Sequence, residues 1–354
     1  VTAALAQRGP GPSAQEAPLL DIRDLTKTYS TGRGLLAQFR RAGAPKLVAV
    51  DGVSLQIRKG EIFSLVGESG SGKTTLGRAL LRLVEPTSGQ ILFRGEDLLG
   101  FSRSRMMAAR RDLQMIFQDP YSSLNPRMTV RQTLAEALSV HKICPAAEIE
   151  GRIAELLDLV GLNAGHADRL PRDFSGGQRQ RIGIARALSV NPAFIVADEP
   201  VSAVDVSVQA QIMNLLLDLR ERLDLTLFFI AHDLSVVQYV STRVGVMYLG
   251  RIVEVAPRRA LFTAPRHPYT QGLLRAAPRP DPGRRSTTVA IGGEPPSPLN
   301  PPPGCHFHTR CPLATDVCRV ERPLLAGVGD GHVVACHHHA TAAGQWTGHA
   351  APNP

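Results

Sequence analysis

One short stretch limits what this chain can fold into. Gly67, Glu68, Ser69, Gly70, Ser71, Gly72, Lys73, Thr74 and Thr75 follow an apolar run, Ile62 to Val66, and lead into a helical stretch from Thr74 to Leu83. The spacing G-x-x-x-x-G-K-[ST] between a strand and a helix is that of a loop that cradles phosphates. Its glycines let the backbone curl so that successive N–H groups point at one anion. The helix behind the loop presents its positive N-terminal end to the same charge. Lys73 is placed to reach the outer phosphates of a nucleoside triphosphate, and Thr74 to ligate Mg²⁺. The plainer alternative is a Gly/Ser-rich turn with a chance lysine, and the flanking strand and helix argue against it.

A phosphate site of this kind needs an acid for its metal ion. The run from Ala193 reads as a buried strand that ends in two carboxylates, Asp198 and Glu199. Asp198 suits the ion's water shell and Glu199 the polarisation of an attacking water. Taken alone, the pair could equally be two solvated acids at a strand end. Apolar runs at Phe194 to Ala197 and Leu225 to Ala231 alternate with helical patterns at Met106 to Asp112, Ala147 to Val160 and Gln178 to Val190. That alternation predicts an α/β fold whose mainly parallel sheet is covered on both faces. No internal repeat stands out, so one nucleotide-binding unit is expected.

Phe174, Ser175, Gly176, Gly177 and Gln178 precede Arg179, Gln180 and Arg181, with Ser175 lying 23 positions before Asp198. Ser175 can cap a helix, and Gly176 and Gly177 would let the backbone approach a γ-phosphate. Arg179 and Arg181 read as structural or solvated. At this point the chain resembles the ABC ATPases, whose signature is a Ser-Gly-Gly-Gln run at the start of a helix. The family's other landmarks follow in order. Gln118, within Ile116 to Pro120, matches the glutamine that senses metal and attacking water. Ser202 to Asp205 matches the D-loop, with Val204 where leucine is commoner. His232 matches the histidine that contacts the γ-phosphate, and Tyr29 the aromatic that stacks on adenine. Without the resemblance His232 would read as a structural residue at a strand end, and Tyr29 as an ordinary strand residue.

The resemblance covers about residues 19 to 263. It implies a P-loop NTPase of ABC type, with an antiparallel β subdomain and a helical subdomain beside the core sheet. It implies ATP hydrolysis with Mg²⁺ held near Thr74, Gln118 and Asp198, and catalysis by Glu199, His232 and Gln118. It also implies a head-to-tail pair, in which the P-loop of one ATPase faces the signature of the other.

Two further stretches resemble the oligopeptide/dipeptide/nickel permease ATPases. One is Gln118 to Arg127. The other runs from His267 to Thr270, through Pro296 to Pro303, and on to Gly304, Cys305, Arg310, Cys311 and Pro312. Twelve of the 27 prolines fall between Pro257 and Pro303, so that segment is expected to be a linker with one short helix around Tyr269 to Arg275. The expected organisation is a loose tail over 1–18, an ATPase unit over 19–263, a linker and small cysteine-containing extension over 264–340, and a second tail over 341–354. Thr31 to Lys46 reads as an elaborated hairpin or loop.

Cys144 stands alone, whereas Cys305, Cys311, Cys318 and Cys336 are spaced C-x5-C-x6-C with 17 residues before the last. The tight pairs of zinc ribbons are absent. Four thiolates on irregular loops suit a [4Fe–4S] cube better, and in the resembled family such cysteines are associated with an iron–sulfur cluster. Zinc and unliganded thiols remain alternatives. His306, His308 and the run His337 to His339 are competing ligands or surface residues. A segment this small usually needs a metal or cross-link to hold one shape, so a structural role is expected.

The formal charge of +9 suits an anionic partner, be it nucleic acid, nucleotide or an acidic membrane face, and chooses between none of them. The strongest apolar run, Leu225 to Ala231, falls far short of the roughly 18 residues a spanning helix needs. No signal peptide is read at the start. The chain is therefore expected at the cytoplasmic face of a cell membrane, held there by other subunits. The resemblance implies a second related ATPase, two membrane permease subunits and an external solute-binding protein, with peptides as substrate and nickel or opines as alternatives. A rival of another class is a non-transport ABC ATPase acting on nucleic acid. Long heptads, a second cassette and an inserted DNA-reading module are all missing, so no nucleic acid is expected.

Overall fold

The computed structural model describes residues 17–30, 46–202, 204–276 and 291–344. Most of the expected first tail, the expected loop over 31–45, Ala203 of the D-loop stretch, residues 277–290 and the chain after 344 lie outside the described residues. The strands are β1 (Leu20–Ser30), β2 (Lys46–Ile57), β3 (Ile62–Val66), β4 (Ser88–Phe93), β5 (Glu96–Asp97), β6 (Leu113–Ile116), β7 (Phe194–Asp198), β8 (Thr226–Ile230), β9 (Arg243–Tyr248), β10 (Arg251–Pro257), β11 (Ala326–Gly329) and β12 (His332–Val334). The helices are α1 (Lys73–Leu80), α2 (Arg103–Ala109), α3 (Pro120–Ser123), α4 (Val130–Val140), α5 (Ile149–Leu159), α6 (Gly176–Leu188), α7 (Val206–Leu223), α8 (Leu234–Val240), α9 (Arg258–Thr263), α10 (Pro268–Ala276), α11 (Asp316–Val320) and α12 (His339–Gly344).

Two sheets organise these elements. The larger runs β11-β12-β10-β9-β3-β8-β7-β6, and the smaller runs β2-β1-β4-β5. From β9 to β6 every neighbouring pair is parallel, whereas β10, β12 and β11 add on antiparallel. All pairs of the smaller sheet are antiparallel. The continuous apolar strands of the sequence follow from burial on both faces. In β3, Ile62 and Val66 face one core while Phe63 and Leu65 face the other, and β7 and β8 alternate in the same way. One core is shared with helices α4 to α8, the other with α1 and the smaller sheet. Burying each such Phe, Leu or Ile contributes about 1.5–3 kcal/mol. Helix starts are set locally: Thr129 and Gln132 form a reciprocal capping box on α4, and Ser175 and Gln178 form one on α6.

The C-terminal part differs from the expected linker. Two helices, α9 and α10, occupy it, and Pro268 opens α10, where a missing N–H breaks no helical bond. Tyr269, Leu261 and Phe307 join the main core. The chain then returns to the larger sheet, where β12 pairs with β10 through Glu254↔Val334 and Val255↔Val333. The join is polar as well as apolar. Buried Glu254 accepts the N–H groups of Arg266 and His267 and a 2.7 Å hydrogen bond from His332 Nε2. Burial pushes His267 down to about 4, which keeps its Nδ1 an acceptor for the Tyr269 N–H at 3.0 Å. The extension is thus packed into the ATPase sheet, and its apolar residues borrow a core that the segment could not build alone.

Candidate nucleotide site

The chemistry expected from the sequence collects at the carboxyl ends of the parallel strands, where open α/β sheets place their ligands. Residues 67–72 leave β3, Gln118 follows β6, Asp198 and Glu199 end β7, and His232 follows β8. The loop after β3 has no room for side chains at two points. A Cβ on Gly72, whose φ is 104°, would lie 2.0 Å from the Ala49 carbonyl oxygen, and one on Gly67 would lie 2.2 Å from that of Met247. Helix α1 begins at Lys73 with Gly72 as its N-cap. Ser69 and Gly70 form the exposed tip, so the loop presents its backbone outward.

Lys73 is buried, and its Nζ donates to the carbonyl oxygens of Gly67 and Glu68, each at 2.9 Å, and to Ser71 Oγ at 3.4 Å. Burial lowers its pKa, against the upward pull of the Glu199, Asp198 and Glu68 carboxylates. Thr74 Oγ1 donates to Asp198 Oδ1 at 2.9 Å. Burial raises the Asp198 pKa, and the Thr74 hydrogen bond holds it down. A hydroxyl and a buried carboxylate side by side fit Mg²⁺, which takes one or two protein oxygens and completes its shell with water and phosphate. Among the described residues no three His, Cys, Asp or Glu side chains form a group that could hold a metal ion, and an ion carried in with a nucleotide needs none.

Glu199 is the centre of the acid–base group. Its Oε2 accepts from Gln118 Nε2 at 2.7 Å and lies 3.3 Å from His232 Nδ1. Its backbone has φ 45° and its N–H donates to the Ile230 carbonyl at 3.0 Å, which ties the turn after β7 to β8. A carboxylate held between an amide and an imidazole can take a proton from water and pass it on. Tyr29 stands near the end of β1, exposed, with Lys27 Nζ 4.9 Å above its ring.

The residues of 175–178 are not brought to this group. Gln178 N–H donates to Ser175 Oγ at 3.3 Å, and Ser175 N–H to Gln178 Oε1 at 3.0 Å. Among the described residues no hydrogen bond joins them to residues 67–75. A Cβ on Gly177 would meet Val208 Cγ1 at 2.3 Å, so within this chain that glycine also serves the packing of α6 on α7. Arg179 is structural as expected. It donates to the carbonyls of Pro171 and Arg172 and lies 3.8 Å over the Tyr121 ring.

The site also has neighbours that the sequence did not single out for it. Tyr269 Oη accepts the Glu68 N–H at 2.9 Å, Arg310 pairs with the Glu68 carboxylate, and Pro295 to Pro298 border the loop tip. No local pattern could have announced them.

The cysteines of the extension are free and lie in one neighbourhood. Burial raises the Cys305 thiol, and pushes Cys311 up to about 11 and Cys336 up to about 12. Cys336 is raised further by the charges of Cys311, Cys305 and Cys318. The His338 N–H donates to Cys336 Sγ at 3.3 Å, and Thr315 Oγ1 lies 3.6 Å from Cys318 Sγ. Among the described residues no group of three or more His, Cys, Asp or Glu side chains is placed to hold a metal ion, the four thiols included. The expected surface role of His306 is corrected: it is buried, and its Nδ1 bonds the Leu249 carbonyl at 3.0 Å.

The phosphate loop, the paired acids after β7 and the capped Ser-Gly-Gly-Gln helix together define a P-loop ATPase of the ABC class. A family model described as ABC transporter matches residues 50–202, and one described as oligopeptide/dipeptide transporter, C-terminal region, matches residues 253–318. The y4tS protein of Sinorhizobium fredii, described as a probable peptide ABC transporter ATP-binding protein, is 51% identical over 325 residues, which is 92% of this chain and 91% of that protein. The oligopeptide transport ATP-binding protein AppF of Bacillus subtilis is 48% identical over 328 residues, 92% of this chain and 98% of that one. Among solved structures, the dimeric post-hydrolysis state of the ATP-binding cassette MJ0796 bound to ADP and Pi matches with a TM-score of 0.59 and 29% identity, over 68% of this chain and 99% of that chain. The chain belongs to the ATP-binding proteins of ABC transporters, in the group that carries the oligopeptide/dipeptide C-terminal region.

Proposed function

We propose that this chain is the ATP-hydrolysing subunit of an importer for peptides, working at the cytoplasmic face of a membrane. The observation that carries the reading is the union in one chain of the ABC region with the oligopeptide/dipeptide C-terminal region over residues 253–318. Relatives named for peptide and oligopeptide transport support it. Among the described residues no helix is long and apolar enough to cross a membrane. The reading gives the transmembrane path to two permease subunits and the choice of peptide to an external solute-binding protein.

Within this reading Lys73 and the N–H groups of residues 70–75 hold the ATP phosphates, and Tyr29 stacks on the adenine. Thr74 and Asp198 hold Mg²⁺, with Gln118 beside them. Glu199 takes the proton of the attacking water, and His232 contacts the γ-phosphate. Residues 175–178 complete the site of a partner ATPase. Closure of the pair on ATP moves the permease subunits, and hydrolysis resets them. Assembled with its partner ATPase, the permease subunits and a peptide-loaded binding protein, the chain should hydrolyse ATP at least about tenfold faster than alone. Full turnover by the lone chain, independent of its concentration and of peptide, would reject both the importer and the shared site.

The reading also assigns Cys305, Cys311, Cys318 and Cys336 to a [4Fe–4S] cluster with a structural role. Its support is the spacing of the four cysteines and their shared neighbourhood, in which the charges of Cys311, Cys305 and Cys318 act on Cys336. Full-length protein purified without oxygen should be brown, with about four irons per chain, and Cys311→Ser should lose colour and iron. Stoichiometric zinc, or no metal at all in protein prepared without chelators, would reject the cluster.

A further inference from the structure

Glu68, the second residue of the phosphate loop, is tethered from three sides. Its carbonyl oxygen accepts from Lys73 Nζ at 2.9 Å, and its N–H donates to Tyr269 Oη at 2.9 Å. Its carboxylate receives a two-pronged hydrogen bond from Arg310, Nη1 to Oε2 at 2.8 Å and Nη2 to Oε1 at 3.1 Å. Two of these tethers come from the extension rather than from the ATPase core. Both are stiff. Tyr269 is fully buried, and its ring lies 4.6 Å from that of Tyr248 and 5.3 Å from that of Phe307. Arg310 Nε donates to the Gly292 carbonyl at 3.0 Å, its Nη1 reaches Tyr248 Oη at 3.4 Å, and its side chain is 6% exposed. Burial alone would lower the Arg310 pKa, but the bonds to Glu68 and Tyr248 raise it overall, so the guanidinium stays charged.

The three tethers are not equivalent once a nucleotide arrives. Lys73 Nζ has its three N–H groups on the Gly67 and Glu68 carbonyls and Ser71 Oγ, so to hold a phosphate it must release at least one of them. Tyr269 and Arg310 then still hold the Glu68 N–H and carboxylate, while the Ser71 N–H stays on the Glu68 carbonyl oxygen at 3.2 Å. We infer that Arg310 and Tyr269 are positioning residues for ATP: they hold the phosphate loop in its binding shape while Lys73 changes partner. The inference rests on the reading of residues 67–75 as the phosphate site. If the loop samples other shapes when the brace is cut, the apparent dissociation constant rises in inverse proportion to the competent fraction. Once ATP is bound the loop is held, so turnover at saturation is spared.

The test uses the full chain carrying Arg310→Ala, Arg310→Lys or Tyr269→Phe, with Lys73→Ala as control. Mg-ATP affinity is measured by titration calorimetry, melting temperature without nucleotide by calorimetric scan, and kcat and KM in the assembled ATPase. Arg310→Ala should raise the dissociation constant and KM for ATP about tenfold and leave kcat within about twofold. Arg310→Lys, which keeps the charge but loses the fork, should recover part of that affinity. Tyr269→Phe leaves the Glu68 N–H without its acceptor and should raise the constant in the same sense, and it keeps the test alive should Arg310→Ala fail to fold. Unchanged ATP affinity in Arg310→Lys and Tyr269→Phe would overturn the inference. So would a fall in melting temperature and kcat with KM unmoved, which is the mark of a purely structural pair. Undiminished ATP binding by Lys73→Ala would overturn the phosphate site itself, and the brace with it.

Discussion

Glu199→Gln should leave Mg-ATP bound and slow its hydrolysis by about a thousandfold. The substitution keeps size and shape and removes the charge that would accept a proton from water. The residue sits where that loss is felt most. Glu199 Oε2 is 2.7 Å from the Gln118 amide nitrogen and 3.3 Å from His232 Nδ1, with Asp198 beside it in sequence. The glutamine carbonyl oxygen can still accept from Gln118, so the surrounding geometry has no reason to collapse. Phosphate release at saturating Mg-ATP in the assembled ATPase, with bound nucleotide counted in parallel, measures both halves of the expectation. Hydrolysis at the parental rate would remove Glu199 from the role of base.

Lys73→Ala should act on the other half of the cycle and weaken ATP binding by about a hundredfold, the usual consequence of truncating one partner of a buried charge pair. The ammonium is the positive group that the Glu199, Asp198 and Glu68 carboxylates act on together. Alanine therefore removes the phosphate ligand and also leaves those acids to repel the nucleotide. Equilibrium titration of the full chain with Mg-ATP reads the loss directly. An affinity within a few-fold of the parent would show that the backbone N–H groups of the loop suffice, and Lys73 would lose its assigned role. The two substitutions separate cleanly: one keeps affinity and loses turnover, the other loses affinity first.

The extension ties the cysteine neighbourhood to this chemistry by a short covalent route. Arg310 and Cys311 are adjacent in sequence, and Phe307, two residues after Cys305, packs on Tyr269. The pairing of β12 with β10 makes the segment part of the ATPase sheet. The sequence expectation was a structural role for a metal centre in the extension. The contacts of Arg310 and Tyr269 with Glu68 place the extension against the phosphate loop.

What the sequence determined by itself was the local chemistry. The phosphate loop is legible because glycine spacing, lysine and hydroxyl must be contiguous for one backbone curve to present them to one anion. The strand ending in Asp198 and Glu199 is legible because burial on both faces requires an unbroken apolar run. The capping box of Ser175 and Gln178 is legible because its partners are three residues apart. Only the tertiary structure could decide the rest. The proline count hid α9, whereas the one short helix expected around Tyr269 to Arg275 is α10, opened by Pro268 where a missing N–H costs no hydrogen bond. Gly177 has no room for a side chain beside Val208, a neighbour on another helix. Glu68 and Arg310 are 242 residues apart in sequence. In a linear reading Glu68 belongs to the phosphate loop and Arg310 to a separate C-terminal stretch, and nothing pairs them. Chain folding alone carries the second to the first, because a long-range ion pair leaves no periodicity, spacing or composition for a sequence to display.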